Sequence, residues 1–357
     1  MSVQRITIKD IARELKISTS TVSRALADKW DVNPETRKAV LELAGQWNYH
    51  PNPISLSLKK RQSMTIGVII PEFVNAFFPE VIIGIESVLV PKGYQILICQ
   101  SNESYKNELN NLKALEDKMV DGFIVSVSKE TKNTDYFGHL IENNFPIVFF
   151  NRICEGLNAS AVVIDDYKWA FLAVEHLIQQ GRKRIAHLAG QDNLLVATRR
   201  KQGYLDALGK YGLPVDEHLI IPCGLIMERG ILGGYRILEM QEGPDAIFAV
   251  NDPVAIGAMK VLQKHGIRIP EDIAVVGFTE SQMATIIEPN LTTVEQPTFE
   301  MGKSAAELLL QQIKNKQDET WTTKTLVLEA KLNIRESSTQ TKTGSSPSPP
   351  CPSPVRR

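Results

Sequence analysis

Short apolar runs rich in β-branched residues alternate with amphipathic helical stretches from Thr65 to about Arg335. This alternation predicts βαβ units, and the nearly continuous apolar runs are typical of parallel strands covered on both faces. The predicted strands are residues 66–70, 95–99, 122–127, 146–150, 184–188, 246–250 and 273–276. The predicted helices are residues 78–92, 107–118, 168–180, 198–211 and 253–265. The sequence therefore predicts a large α/β body.

The size of this body predicts an internal division. Residues 65–336 reach the ~250–300 residues at which one hydrophobic core usually divides. We expect two similar lobes, each a doubly wound parallel sheet, with a division near residues 162–166. Ligands of such folds bind near the carboxyl ends of the strands, so we expect a small-molecule site between the lobes.

Residues 5–49 predict three short helices. The first begins at Thr7, and an acidic residue three positions later has the spacing of a capping box. Ser18 precedes the second helix, which extends to about Ala27, and Asn33 followed by proline begins the third. Two helices joined by a tight turn and braced by a third form a helix-turn-helix.

The outward face of the second helix is polar. It carries the hydroxyls of Thr19, Ser20 and Ser23 and the guanidinium of Arg24. Hydroxyls contact base edges or phosphates, and an arginine binds guanine through two hydrogen bonds. The alternative is a small three-helix bundle with a polar face. The candidate DNA-contacting residues of this region are Thr7, Ser18, Thr19, Ser20, Thr21, Ser23, Arg24, Asn33 and Thr36.

A basic connector follows the three helices. It begins with an Asn-Pro pair at Asn52 and places Leu58 next to Lys59 and Lys60. A helix this short is marginal alone and is expected to order only when docked. A leucine beside basic residues suits a wedge in the DNA minor groove, so Leu58 and Lys59 are candidate contacts. The alternative is a plain interdomain linker.

Charge is distributed unevenly along the chain. Residues 1–62 hold 11 basic and 6 acidic residues, whereas the remainder holds 29 and 35. A basic head on an acidic body predicts a polyanionic partner for the head alone. The widely spaced cysteines suggest free thiols in a reducing compartment. Without a visible signal peptide or membrane span, a cytoplasmic location is expected, and no cofactor or metal is implied.

The end of the chain is rich in serine and proline. Residues 337–357 lack the apolar residues that folding requires and are predicted to be a disordered tail without function. The expected organisation is a helix-turn-helix domain at residues 1–50, a basic connector at 51–64, a bilobed ligand-binding body at 65–336, and the tail.

Several motifs together resemble the LacI/GalR family of bacterial transcription regulators over about residues 5–335. The N-terminal motifs are Thr7-Ile8-Lys9-Asp10-Ile11-Ala12, Ser20-Thr21-Val22-Ser23-Arg24-Ala25-Leu26, Asn48-Tyr49-His50-Pro51-Asn52 and Thr65-Ile66-Gly67-Val68-Ile69-Ile70-Pro71. The later motifs are Gly181-Arg182-Lys183-Arg184-Ile185-Ala186, Asn251-Asp252 and Leu291-Thr292-Thr293-Val294. The resemblance implies a dimer, expected to act as a repressor, on near-palindromic operators, with an effector controlling hinge order.

The resemblance also implies roles for individual residues of the head and hinge. Thr19, Ser20 and Arg24 stand where the family's recognition helix contacts bases, and Leu58 stands at the leucine that enters the minor groove. The hinge departs from the family's frequent Ala-Arg-Ser-Leu, because it reads Ser-Leu-Ser-Leu and ends at Leu58. The contact of the usual arginine is therefore in question, and Lys59 or the following lysine is a candidate substitute.

The implied effector residues lie in loops after strands. They are Phe77, Phe78, Asn102, Asn151, Arg152, Asp166, Arg200, Asn251, Asp252 and Thr279. Aromatic faces, guanidiniums, amides and carboxylates suit a hydroxyl-rich or anionic metabolite, with a sugar or related polar molecule favoured. Thr279 stands where many relatives carry an aspartate, and Glu280 follows it.

Structural roles are the alternatives for several of these residues. Phe77 and Phe78 could belong to a lobe core, Asp166 and its neighbour Asp165 could cap a helix, and Arg152 could pair with an acid.

Two other classes of protein are disfavoured. The chain shows none of the phosphate-binding, dinucleotide-binding, metalloprotease or serine-hydrolase motifs, and structural roles are expected for His176, His187 and His265, so an enzyme is not expected. A secreted solute-binding protein would share the bilobed body but would lack residues 5–60 and would carry a signal sequence.

Overall fold

The structure is a computed structural model that describes residues 6–49, 62–74, 76–316 and 320–339. The described chain separates into two compact units, a helical head and an α/β body. Among the described helices, none combines the length and apolar character that a bilayer crossing requires.

The head contains three helices around one small core. They are α1 (Ile8–Glu14), α2 (Thr19–Leu26) and α3 (Pro34–Gln46). The capping residues predicted from the sequence stand at all three N-termini: Thr7 with α1, Ser18 with α2 and Asn33 with α3. The buried core residues are Ile11, Ala12, Val22, Ala25, Val32, Val40 and Ala44. The helix-turn-helix prediction is therefore confirmed.

The body contains two six-stranded sheets. The strands are β1 (Thr65–Ile70), β2 (Gln95–Gln100), β3 (Gly122–Val125), β4 (Ile147–Phe150), β5 (Ser160–Ile164), β6 (Ile185–Ala189), β7 (Ile220–Pro222), β8 (Ala246–Ala249), β9 (Ala274–Thr279), β10 (Thr292–Glu295), β11 (Thr325–Leu328) and β12 (Lys331–Asn333). The order is β11-β5-β4-β3-β1-β2 in one sheet and β12-β10-β9-β8-β6-β7 in the other. Most neighbouring strands pair in parallel, but β12 runs antiparallel to β10.

Helices cover both sheets. They are α4 (Phe77–Leu89), α5 (Tyr105–Asp117), α6 (Asp135–Glu142), α7 (Asp166–Gln179), α8 (Leu195–Lys210), α9 (Met227–Leu238), α10 (Asp252–Lys264) and α11 (Thr298–Lys314). Short 3₁₀ turns occur at Val90–Lys92, Glu217–Leu219 and Gln282–Thr285. The pairs α4 with α11, α7 with α8 and α9 with α10 pack closely, as the predicted two-lobed α/β fold requires.

The described chain passes between the lobes at three places. It crosses after β5, after β10 and between β11 and β12. The sequence predicted a division only near the first of these, at residues 162–166. Lobe 1 is therefore discontinuous: it consists of β1–β5 together with α11 and β11 from the C-terminal part of the chain.

Several elements were missed by the sequence interpretation. The missed strands are β5, β7, β10, β11 and β12, and the missed helices are α6, α9 and α11. Most of these strands have only three or four residues, and β11 is mainly exposed, so their apolar pattern is weak. α9 contains three buried glycines, which have a low intrinsic helix propensity and weaken the prediction of a helix.

The first residues of the predicted tail belong to the body. Ser337 and Ser338 are buried, and Ser337 Oγ donates to Val275 O at 2.6 Å. Ser338 Oγ lies 2.8 Å from His176 Nε2 and 2.7 Å from Thr292 Oγ1. Two serines that composition assigned to a disordered segment therefore satisfy buried polar groups. The rest of the predicted tail lies outside the described residues.

Candidate functional site

The polar face of α2 begins at its N-cap. Ser18 Oγ accepts a hydrogen bond from Thr21 N at 3.0 Å, and it lies 2.6 Å from Ser20 Oγ. Thr19 and Ser20 are exposed on the first turn, whereas Ser23 is half-buried one turn further along. The structure thus presents the hydroxyls of the first turn to solvent and uses Ser18 to cap the helix.

Arg24 lies on the same helix and is paired with an acid from the following loop. Its Nη1 is 3.0 Å from Asp31 Oδ2, and its Nε donates to Ser20 O at 3.4 Å. The side chains of Arg24 and Asp31 are 51% and 36% exposed. A pair this exposed contributes little stability, so the guanidinium can exchange Asp31 for another acceptor.

Other predicted residues of the head have capping roles. Thr7 N and Oγ1 donate to Asp10 Oδ2 at 2.9 and 2.7 Å, and Asn33 Oδ1 accepts a backbone N–H at 2.8 Å. Thr36 is half-buried on α3. The two candidates from the hinge, Leu58 and Lys59, lie outside the described residues.

A cleft lies between the two lobes of the body. It encloses about 720 Å³, counting the space at its open mouth. Seven of the predicted effector residues line it: Phe77, Phe78, Asn151, Arg152, Arg200, Asn251 and Thr279. Because β4, β8 and β9 end at this cleft, the loops that follow them bring residues distant in sequence together.

Arg152 is fixed by an acid behind the cleft. Its Nη1 lies 2.9 Å from both carboxylate oxygens of Glu103, and its side chain is 8% exposed. Its guanidinium carbon lies 5.9 Å from the ring centre of Phe78. Arg152 therefore forms the structural ion pair that was the alternative interpretation of the sequence, and it also lines the cleft.

Arg200 is held even more completely. Its Nε and Nη2 lie 2.8 and 2.7 Å from Asp166 Oδ1, and its Nη1 donates to Val250 O at 2.6 Å. The guanidinium carbon is 3.7 Å from the ring centre of Phe278. Every nitrogen of this guanidinium thus has a protein partner, so its positive charge is already compensated.

Three carboxylates also line the cleft: Glu72, Glu80 and Glu280. Glu80 accepts a hydrogen bond from Thr298 Oγ1 at 2.6 Å. Glu280 is paired with Arg335, whose Nη2 lies 2.5 Å from its Oε1. Together with the partners behind the wall, five carboxylates surround the site against three guanidiniums, which makes the cleft acidic.

Two side-chain oxygens at the cleft lack a protein partner within the described residues. They are Gln296 Oε1 and Ser281 Oγ. Gln296 is 5% exposed, and its Nε2 donates to Thr279 Oγ1 at 3.3 Å. A buried amide oxygen without a partner is costly, so a hydrogen-bond donor from a ligand would stabilise this site.

Three predicted effector residues, Asn102, Asp166 and Asp252, do not line the cleft. Asn102 is exposed after β2, and its Oδ1 accepts from Gln100 Nε2 at 2.6 Å. Asp166 is the buried partner of Arg200, while its neighbour Asp165 caps α7 by accepting Lys168 N at 2.9 Å. These departures arise because side-chain direction depends on packing that the sequence does not show.

Asp252 also lies behind the cleft wall. It is fully buried, and its carboxylate accepts Ser281 N and Thr293 Oγ1, both at 2.6 Å. Burial is the main cause that raises the pKa of Asp252 to about 6. Through Ser281 the residue positions the loop after β9, where Thr279 and Glu280 have φ values of 124° and 65°.

The lining residues that the sequence interpretation missed include Glu72, Glu80, Ser281, Gln296 and Thr298. Gln296 follows β10 just as Asn251 follows β8, so the same rule would have selected it. β10 has only four residues, too few for its pattern to predict a strand, so Gln296 was not expected at the cleft.

The buried histidine His187 occupies a packing position in the body. His187 is stacked between Tyr204 and Phe248 at centroid distances of 5.1 and 5.0 Å, and burial lowers its pKa to about 4. In the part of the chain that the structure describes, no group of His, Cys, Asp and Glu is arranged to hold a metal ion.

Comparisons with known proteins place these features in one class. The model described as "Bacterial regulatory proteins, lacI family" matches residues 7–52, and the one described as "Periplasmic binding protein-like domain" matches residues 174–338. The HTH-type transcriptional repressor PurR of Vibrio atlanticus is 34% identical over 315 residues, which is 88% of this chain and 93% of that protein. The ribose operon repressor of Haemophilus influenzae is 33% identical over 93% of this chain and 98% of its own length.

A solved structure extends the similarity to three dimensions. The structure described as a transcriptional regulator CelR-cellobiose complex has a TM-score of 0.71 and 30% identity, and it covers 93% of this chain and 100% of its own. The head and bilobed body define a DNA-binding transcription regulator with an effector domain, which is a class of regulators and not of enzymes. The chain belongs to the LacI family of bacterial regulatory proteins.

Proposed function

We propose that this repressor binds an operator through α2 and the hinge, and that an uncharged, hydroxyl-rich metabolite bound between the lobes controls its affinity. The observation that carries the ligand class is the charge of the cleft. The guanidiniums of Arg152 and Arg200 are already paired with carboxylates, and three more carboxylates line the wall. A phosphate or carboxylate ligand would therefore meet net repulsion.

The hydrogen-bonding groups of the cleft support the same ligand class. Gln296 Oε1 and the carboxylates can accept hydrogen bonds from a ligand, and Asn151 adds an amide to the lining. The amide of Asn251 also lies at the cleft, but it is held by Leu225 O and Val254 N. Each sugar hydroxyl can both donate and accept a hydrogen bond, so a sugar matches a site that offers carboxylates and amides. Phe77 and Phe78 add apolar surface for the face of a ring. The similar proteins include a ribose operon repressor and a regulator in complex with cellobiose, which agrees with this proposal.

The DNA-binding part of the proposal rests on the first turn of α2. Thr19 and Ser20 are exposed there, and Arg24 follows on the same polar face. We assign base contacts to these residues and a supporting role to the capping residues Thr7 and Ser18, whose helix N-termini can face phosphates.

The proposed regulator acts as a dimer, and the edge strand β2 of the first sheet supports this. Its residues are only half-buried although the strand is apolar, and Ile98 is 38% exposed. The neighbouring exposed residues Ile83 and Val90 lie on α4 and in the turn before β2. An exposed apolar edge strand is the kind of surface that a second subunit covers.

The substitution Ile98→Lys tests this surface. We expect it to lower the molar mass in sedimentation equilibrium, and an unchanged mass would exclude this surface.

A thermal-shift screen with matched ligand pairs tests the ligand class. Free sugars and nucleosides are compared with their own phosphate esters at equal concentration. We expect a stabilising ligand among the uncharged members and no shift from its phosphorylated form, since a ligand that binds only the folded state raises the melting temperature. A larger shift from the phosphate ester would overturn the proposal.

Two asparagines provide a matched pair of variants for that screen. Asn151 lines the cleft and Asn102 does not, and both have left-handed backbones with φ of 57° and 53°. Replacement by alanine therefore introduces similar backbone strain in each. We expect Asn151→Ala to weaken ligand binding and Asn102→Ala to leave it unchanged. Equal losses would mean that the cleft is not the ligand site.

Operator binding is tested by selecting duplexes from a randomised pool with the full-length protein. We expect enrichment of near-palindromic duplexes, and binding that changes when the identified ligand is added. Failure to select any duplex at low ionic strength, with and without metabolites, would contradict the regulatory function.

A further inference from the structure

The loop between α2 and α3 carries the most exposed tryptophan of the described residues. Trp30 is 92% exposed, whereas the other tryptophan of the head, Trp47, packs against the core. A large aromatic side chain in water is unfavourable, and large apolar residues left in solvent at a fixed position frequently mark a binding surface.

Ion pairs hold this loop on both sides of Trp30. On one side Arg37 Nη1 lies 2.6 Å from Asp28 Oδ1, and Arg37 Nη2 also donates to Lys29 O. On the other side Asp31 pairs with Arg24 at 3.0 Å, and the next residue, Val32, is buried in the core. The indole therefore projects from an anchored loop and not from a free chain end.

The same contacts place Trp30 beside the polar face of α2. Asp31 follows it directly and reaches Arg24, which lies on that face, and Lys29 precedes it. Arg24 Nε also donates to Ser20 O at 3.4 Å, so Arg24 links the residue after Trp30 to the face of α2 that carries Ser20.

We propose that Trp30 contacts the operator duplex as a further recognition residue in each half-site. This inference rests on the proposed DNA-binding function. An indole can pack its ring on a deoxyribose or a thymine methyl group, and its N–H can donate to a phosphate oxygen. Lys29, which directly precedes Trp30, brings a positive charge towards the phosphates, and the ring adds apolar contact area that the lysine lacks.

The test compares Trp30→Ala, Trp30→Phe and Leu41→Ala in the full-length protein, using a duplex selected by the wild type. Leu41 is an exposed apolar residue of α3 at 51% exposure, so its variant controls for loss of surface area in the head. Trp30→Ala is expected to weaken affinity about tenfold, equivalent to about 1.4 kcal/mol, while Leu41→Ala leaves it unchanged. Trp30→Phe should retain most of the affinity.

Tryptophan fluorescence gives a second measurement. The fluorescence of Trp30 is the difference between the emission of the wild type and that of Trp30→Phe. We expect acrylamide to quench this fluorescence less when the duplex is added. If Trp30→Ala binds as tightly as wild type, or if Leu41→Ala loses as much affinity, the assignment of Trp30 is overturned while DNA binding stands. If the wild type selects no duplex, the inference fails together with the proposed function.

Discussion

Two arginine–aspartate pairs of this protein differ in exposure. The side chains of Arg24 and Asp31 are 51% and 36% exposed, whereas those of Arg200 and Asp166 are 5% and 9% exposed. Water screens the first pair, so its rupture costs little, at most about 1 kcal/mol. Breaking the second by removing one partner leaves a buried charge, which is strongly destabilising. Arg24 can therefore exchange Asp31 for another partner, whereas Asp166 holds Arg200 fixed in the wall of the cleft.

Replacing Arg24 by alanine tests the exchangeable contact. If Arg24 makes the proposed bidentate base contact, the variant loses about 1–3 kcal/mol of operator binding and relaxes base preference at one position per half-site. Competition binding with single-base variants of the operator measures this. Lys38→Ala is the control, since Lys38 is 78% exposed on α3. An equal loss on every sequence would identify Arg24 as a phosphate contact.

The buried carboxyl of Asp252 predicts a pH-dependent stability. Its pKa is raised from 3.8 to about 6 by burial, so the folded state binds a proton more tightly than the unfolded state. Relative to Asp252→Asn, the wild type should gain free energy of unfolding as the pH falls from 7 to 4, and lose that gain as the pH rises through 6.

Urea titrations of both proteins across this range measure the difference. The lowered pKa of His187, about 4, acts in the opposite direction but is common to both proteins and cancels. Stability curves that stay parallel between pH 4 and 7 would show that Asp252 does not titrate in this way.

Glycines set the distance between helices in lobe 1. A Cβ at Gly302 on α11 would lie 1.9 Å from Val81 O, and one at Gly84 on α4 would lie 2.1 Å from Phe299 O. Both clashes are with backbone, which cannot rotate away. The close crossing of α4 and α11 therefore depends on the absence of two side chains, and it keeps α11 in lobe 1 although the chain has already entered lobe 2.

Gly302→Ala is expected to destabilise the body by about 1–3 kcal/mol or more, because the two helices must separate. Gly45→Ala on α3 is the matched control, since a Cβ there meets no atom within 4 Å. In a helix that change should stabilise by about 0.5–1 kcal/mol. Denaturant unfolding measures both. An unchanged midpoint for Gly302→Ala would contradict the packing.

At the scale of the whole molecule, one hydrophobic cluster extends through both lobes, and lobe 2 has a second cluster of its own. The shared cluster contains Ile66 and Val148 of lobe 1 and Ile185, Phe248 and Val276 of lobe 2. The described chain also crosses between the lobes three times. Arg199 of lobe 2 lies 3.6 Å from Glu155 near the end of lobe 1. We infer that the body behaves as one cooperative unit whose cleft is bounded by both lobes.

Calorimetry can test this cooperativity. A Cβ at Gly230 in lobe 2 would lie 2.2 Å from Val254 O, a clash similar to that at Gly302 in lobe 1. We expect Gly302→Ala and Gly230→Ala each to lower the midpoint temperature of the same thermal transition. A ligand of the cleft should raise that transition. Separate transitions that respond to only one substitution each would show that the lobes unfold independently.

Much of the fold and part of the site were accessible from the sequence because their signals are local. Thr7, Ser18 and Asn33 stand at the predicted helix N-termini, and the strands of the predicted pattern appear within a few residues of their expected ends. Loops that follow recognised strands reach the cleft, as Asn151 and Asn251 do. Capping, periodicity and the geometry of parallel sheets depend on neighbours in the chain.

The tertiary structure alone decided which charges face the ligand. Arg152 is neutralised by Glu103 and Arg200 by Asp166, and these partners are 49 and 34 positions apart. Gln296 lies at the cleft because β10 joins the second sheet, and the buried Ser338 contacts His176, which is 162 positions away in the chain. Such contacts depend on which distant segments meet when the core packs, and no local pattern of residues encodes them.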